Sequence, residues 1–220
     1  MIITPVTYHD TDSFLKGFQL MDLLSLQGTA IGSFGIGKPF LCNGANFAYS
    51  KQFFNDLNGF EGNSNIASGD DVFLLEKAIM NEKHSVRFLK TKEQIVKTQA
   101  QPNFVGLVQQ RVRWAKKMTS LRSIFGKGAG LIVFIMNLTL LVLLIMSCID
   151  LFQFKILAIG FIIKFIVDFC LIYKSVKLTQ QKSKLIHYIH SSIYYPFFSV
   201  FIVLYSLFFN YKWKGRAYLK

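Results

Sequence analysis

The chain has 220 residues, a formal charge of +13 and a hydrophobic fraction of 52%, which bounds it to one or two domains. Its three cysteines, Cys42, Cys148 and Cys170, have no spacing for a disulfide framework or a zinc site and read as small packing residues. The basic excess sits beside hydrophobic segments with no nucleic-acid motif, so it excludes a nucleic-acid binder and fits anionic lipid headgroups.

Ten of the twelve acidic residues lie between Asp10 and Glu93, and the second half is crowded with Phe, Ile and Leu. A soluble-type segment is therefore joined to a membrane segment. In chain order, "MIITPVTY" reads as a buried strand of β-branched residues. Asp10-Thr11-Asp12 follows it with the look of a metal-binding DxD. Two acids one apart are ordinary in loops and no further ligand is near, so no metal site is assigned to this chain. Ser13 to Gly32 is helical, with Phe14, Phe18, Met21 and Leu24 recurring at helical spacing and Gly32 as the stop. "GKPFLCNGANFAYSKQFF" reads as a turn, a strand and a helix start, and "NGFEGNSNIASG" as a loop of turn-formers.

"SGDDVFLLEK", Ser68 to Lys77, opens the next helix, expected over Val72 to Asn81. Asp70 and Asp71 at its head have two readings. Ser68 with Asp71 makes a capping box, and acidic groups suit the positive end of a helix dipole. Taken alone, the stretch favours capping over a pair of carboxylates that carries chemistry. "SVRFLK" and "QIVKTQ" read as strands, and strands mixed with helices point to an α/β class.

"FVGLVQQRVRWAKKMTSL" is an amphipathic helix. At 100° per residue Phe104, Val105, Val108, Val112 and Ala115 share one face, with Gln110, Arg113, Trp114 and Lys117 opposite. A helix lying on a membrane would keep Trp with its apolar face. Trp114 among polar groups suits a sugar or nucleotide site: the ring stacks on a pyranose face while a guanidinium forks onto phosphate oxygens.

Three stretches can span a bilayer: Gly128 to Ile149, Phe154 to Tyr173, and His190 to Phe209. Lys164 and Asp168, four apart, share a helix face and can pair. Basic clusters precede the first stretch, follow the second and follow the third, and three full crossings cannot put all of them on the cytoplasmic side. With the Asp150–Phe154 turn outside, Ser191 to Phe209 is expected to be re-entrant or to lie along the interface, its tail returning to the cytoplasm.

"GKPFLCNGANFAYSK", then "SGDDVFLL", then Gln110-x-x-Arg113-Trp114 ahead of a membrane hairpin, together resemble the C-terminal half of membrane-bound, inverting family 2 glycosyltransferases. These are relatives of cellulose, chitin and hyaluronan synthases and of ceramide glucosyltransferases. "WKGR", Trp213 to Arg216, adds to the likeness. The resemblance implies the acceptor-side half of a GT-A domain over residues 1–103, an interfacial QxxRW helix over 104–126, and a membrane region over 127–220. The fold class expected is thus α/β, a partial GT-A domain, followed by an amphipathic and a transmembrane α-helical region. By the same resemblance Asp71, with Asp70 beside it, is the general base. Gln110, Arg113 and Trp114 hold the nucleotide diphosphate and line the acceptor site, which Asn43, Gly44 and Asn46 flank. The implied substrates are a nucleotide-sugar donor, a UDP-sugar, and a lipid or glycan acceptor at the cytoplasmic face of the plasma membrane.

The family's nucleotide-binding half, with its DxD ligands for a divalent Mg or Mn cofactor, has no counterpart in this sequence. The chain is expected to be a fragment, inactive alone, whose missing half a partner chain or adjoining polypeptide supplies. The competing expectation is a non-catalytic membrane protein that binds a partner or assists assembly.

Overall fold

The computed structural model describes residues 1–9, 11–62, 69–82, 85–120, 122–209, 211–213 and 216–218. Asp10 of the DxD pair, Ser68 of the capping box, and Lys214 and Gly215 of "WKGR" lie outside the described residues.

The N-terminal apolar run is broken by Pro5 into β1 (Ile2–Ile3) and β2 (Val6–Tyr8), because proline has no N–H to give a ladder. α1 (Phe14–Gly35) follows, capped by Ser13, whose hydroxyl accepts from Lys16 N at 3.3 Å. It runs past the expected stop at Gly32. Then come β3 (Phe47–Ala48), α2 (Lys51–Asp56), α3 (Asp70–Glu82), β4 (Arg87–Phe88) and β5 (Val96–Thr98). α4 (Phe104–Ser120), α5 (Ile124–Met146), α6 (Leu151–Leu178) and α7 (His187–Phe208) complete the helices, and β6 (Tyr211–Trp213) pairs antiparallel with β7 (Arg216–Tyr218).

The fold is mostly helical with few strands. β1 lies between antiparallel β3 and parallel β4, and β2 pairs in parallel with β5. These strands are two or three residues long, so they do not form the expected GT-A sheet. The strand expected within "GKPFLCNGANFAYSK" is reduced to Phe47–Ala48, because Asn43 to Asn46 close a turn on themselves. Asn43 Oδ1 accepts from Ala45 N at 3.0 Å, and the Asn43 carbonyl accepts from Asn46 N at 3.1 Å.

Residues 1–103 pack on the membrane region through α1. α1 buries Leu20, Met21 and Leu24 against Ile172 and Val176 of α6 and Tyr188 of α7. The helices approach so closely that a Cβ on Gly28 would meet the Leu171 and Ser175 side chains at 2.8–2.9 Å. A second cluster, Leu74, Leu75 and Val72 of α3 with Ile3 and Leu57, fixes the Asp70–Asp71 end of that helix. A third joins Phe18 of α1, Leu107 and Val112 of α4, and Phe198 and Ile202 of α7.

That third cluster corrects the face assigned to α4. Phe104 and Val105 are exposed, whereas Leu107, Arg111 and Val112 are buried. The apolar stripe is centred nearer Arg111 than its first turn implies, and it is covered by α1 and α7 rather than left to meet lipid.

Three helices, α5, α6 and α7, are long and apolar enough to cross a membrane. A 23-residue helix such as α5 rises about 34 Å at 1.5 Å per residue, which matches a hydrocarbon core of about 30 Å. In their most apolar windows α5 and α6 are only 11% and 6% buried within the protein, while α7 is 39% buried. The first two offer a bare apolar surface suited to lipid, and α7 is packed against α1, α4 and α5. α7 remains one helix through Pro196, and the β6 backbone after it comes back beside α4. Cys148 and Cys170 are exposed rather than packed inside; only Cys42 is buried.

Candidate functional site

A cavity of about 390 Å³ opens where α1, the Leu41–Ala45 turn, α3, α4 and α7 meet. Asn43, Gly44, Asp71, Arg113 and Trp114, far apart in sequence, all line it. Three of the expected residues stand elsewhere. Asp70 is exposed beside it. Gln110 turns its Oε1 to the Arg111 guanidinium. The Asn46 amide donates to the carbonyls of Pro5 at 2.9 Å and Gln94 at 2.6 Å, so it ties the turn to the small sheets.

Asp71 is held by three donors. Its Oδ2 accepts from Gly44 N at 2.8 Å, and its Oδ1 from Val72 N at 2.9 Å and Lys117 Nζ at 2.7 Å. The carboxylate and the ammonium are partly buried, at 18% and 11% exposed, so their ion pair is screened less than a surface one. Two glycines make this geometry accessible. A Cβ on Gly44 would crowd the Asp71 side chain at 3.2 Å. Gly69, at φ +112°, holds a backbone conformation that side chains disfavour, and a Cβ there would meet the Lys117 stem at 2.8 Å.

Beneath the Asp71 carboxylate lies Cys42, whose thiol is pushed well above its usual pKa by burial and, secondarily, by the Asp71 charge; Lys117 opposes both. A thiol so placed stays protonated and is not a nucleophile.

Arg111 is the residue that sequence reasoning passed over. Its Nε donates to Asp22 Oδ2 of α1 at 2.5 Å, both side chains being 6% exposed. Its guanidinium covers one face of the Trp114 ring, 4.1 Å from the centroid. Burial lowers the Arg111 pKa, but Asp22 and then Tyr8 outweigh it, so the group is held charged above its ordinary value. Nη2 has no hydrogen-bond partner. A signal was present: Arg111 sits four residues after Leu107 and four before Ala115, a charge inside an apolar stripe, and buried charges need partners.

A divalent cation does not fit these residues. Lys117 already neutralises Asp71, and a cation on that carboxylate would have to displace an ammonium. Among the described residues no three His, Cys, Asp or Glu side chains converge. What the arrangement offers is an oriented carboxylate, a Trp face and the cations Arg113 and Lys117 around one cavity. Such a set can take a hydroxyl-bearing group beside the carboxylate and an anionic group beside the cations.

Glu76 links this site to the membrane region. Its carboxylate accepts from Arg122 N and Ser123 N, each at 2.9 Å, and Ser123 caps α5 through Gly126 N at 3.0 Å. α3, which carries Asp71, is thereby fastened to the start of the first membrane helix. Compared with protein-family models, curated proteins and solved structures, the chain matches none.

Proposed function

We propose that this chain is the acceptor-side part of an inverting glycosyltransferase that moves a sugar from a nucleotide-sugar, a UDP-sugar, to a lipid or glycan acceptor at the cytoplasmic membrane face. The observation that carries the reading is the convergence of Asp71, Asn43, Gly44, Arg113 and Trp114 on one cavity. In this reading Asp71 takes the proton of the acceptor hydroxyl as its oxygen attacks the anomeric carbon. The new C–O bond forms as the bond to the nucleotide diphosphate breaks with its electron pair, inverting the centre. Lys117 holds Asp71 ionised, Arg113 faces the negative charge that develops on the departing diphosphate, and the Trp114 ring packs on a sugar ring. The nucleotide-binding module is required in addition, on the same or a second polypeptide.

The rival, a non-catalytic membrane protein, draws on one observation: Asp71 already gives its carboxylate to Gly44, Val72 and Lys117, as a structural clamp would. The two separate by assay. Membranes carrying the chain together with its nucleotide-binding module are given a panel of radiolabelled UDP-sugars, and label passing to lipid or glycan is counted. Asp71→Asn and Trp114→Ala are expected to lose transfer at unchanged expression, Asp71→Asn by about 100-fold or more. Wild-type transfer by both variants would sink the proposal, as would no transfer from any UDP-sugar.

A further inference from the structure

A second cavity, about 380 Å³, lies between α1, α5, α6 and α7. Asp22 and Tyr195 line both cavities, so the two adjoin. At its other end it is lined by Ile132 and Val133 of α5 and Ile163 and Val167 of α6. These four side chains are 45–70% exposed on the surfaces suited to lipid. The mouth therefore opens sideways, between two membrane helices, and the inner end reaches the neighbourhood of the Asp71 cavity.

Two buried polar atoms on its lining residues have no hydrogen-bond partner: Asn137 Oδ1, on a wholly buried side chain, and Ser191 Oγ, on one 5% exposed. Asn137 commits its Nδ2 to the Val133 carbonyl at 2.8 Å, which leaves Oδ1 as an acceptor. An acceptor stripped of water and left unpaired is costly, and in a membrane helix it marks a place where a donor is received. The charges nearby are already matched. Lys164 pairs with Asp168, as their spacing leads one to expect, and Asp22 pairs with Arg111. No uncompensated charge remains on the lining to hold a phosphate.

We infer that this cavity is a binding site for a membrane lipid whose head is uncharged and carries a hydrogen-bond donor, entering laterally between α5 and α6. The donor meets Asn137 Oδ1 and Ser191 Oγ, and the apolar chain lies along Ile132, Ile163 and Val167. That this lipid is the acceptor rests on the transferase reading above; that it binds does not.

The test uses the purified full chain in phosphatidylcholine vesicles with two alkyne-tagged probes of equal chain length, each with its photoreactive group on the carbons next to the head. One is a diacylglycerol, with a free hydroxyl and no charge; the other is a phosphatidylcholine, with a charged head and no donor. Crosslinked residues are mapped by peptide mass spectrometry. The diacylglycerol should label the cavity walls on α1 (Met21 to Thr29) and α7 (Tyr188 to Tyr195) saturably, at least fivefold above the phosphatidylcholine. Asn137→Leu and Ser191→Ala, neither in the proposed catalytic machinery, should each lower that labelling at least threefold. Labelling of the outward faces of α5 and α6 should not change. Should one variant fail to elute like the parent protein, the other carries the result. Equal cavity labelling by both probes would overturn the inference. So would diacylglycerol labelling confined to the outward faces, or wild-type labelling by the folded variants. Because no nucleotide-sugar is present, a failed transferase assay leaves this result standing, and transfer to a soluble glycan would not rescue it.

Discussion

Removing either member of the Arg111–Asp22 pair should cost far more than removing both. The ions are 2.5 Å apart, with both side chains 6% exposed. At an effective dielectric of about 20, that separation gives a gross attraction of about 7 kcal/mol. Desolvation takes back several kcal/mol per ion, so the intact pair is worth little against well-packed apolar side chains. Breaking it is another matter. Arg111→Met leaves Asp22 buried and unpaired, and Asp22→Leu does the same to Arg111, each costing about 3–5 kcal/mol. For a chain of this size that is a fall in melting temperature on the order of 10 °C. The double variant should return to within about 1 kcal/mol of the parent, since both charges are then gone. Melting of the detergent-solubilised full chain, followed by tryptophan fluorescence, gives the cycle. A Trp213→Phe background leaves Trp114, beneath the guanidinium, as the one tryptophan and makes the probe local. Single variants that each cost under about 1 kcal/mol and simply add in the double would refute the buried pair, and with it the fastening of α4 to α1.

Three further expectations follow from the same packing. Gly69→Ala should destabilise by about 1–3 kcal/mol, from a strained backbone and contact with the Lys117 stem, readable in the same melt. A melt unchanged within error would mean that Gly69 needs no positive φ. Cys42 should resist iodoacetamide at pH 8 in the native protein and react fully once unfolded, because burial raises its pKa. The sign follows: the unfolded thiol ionises first, so the protonated Cys42 contributes its full stability below about pH 8.5 and loses it as pH rises further. Peptide mapping showing prompt native alkylation would contradict this. Finally, α7 packs on α1 and α4, and β6 returns beside α4, so a cysteine placed near the chain's end should label from the same side as one in the Lys90–Glu93 turn. Labelling from opposite sides, in sealed vesicles of known orientation, would make α7 a full crossing.

What the sequence determined by itself is whatever depends on neighbours along the chain. The charge-free apolar run of α5, the helical spacing of α1 and α3, and the Lys164–Asp168 pairing are all local, since helix geometry alone puts residues three and four apart on one face. The resemblance picked out residues that do share a cavity, Asn43, Gly44, Asp71, Arg113 and Trp114, but also Asp70, Gln110 and Asn46, which do not line it. Only the tertiary structure could separate them, because the separation depends on partners brought from elsewhere: Pro5 and Gln94 for the Asn46 amide, Lys117 for Asp71, Asp22 for Arg111. The same holds for the helical faces. Periodicity gave α4 an apolar stripe but not its centre, since the neighbours that cover Leu107, Arg111 and Val112 lie on α1 and α7. Composition divides this chain into a soluble half and a membrane half. Folding removes the division, because the apolar side of α1 is buried most fully against α6 and α7.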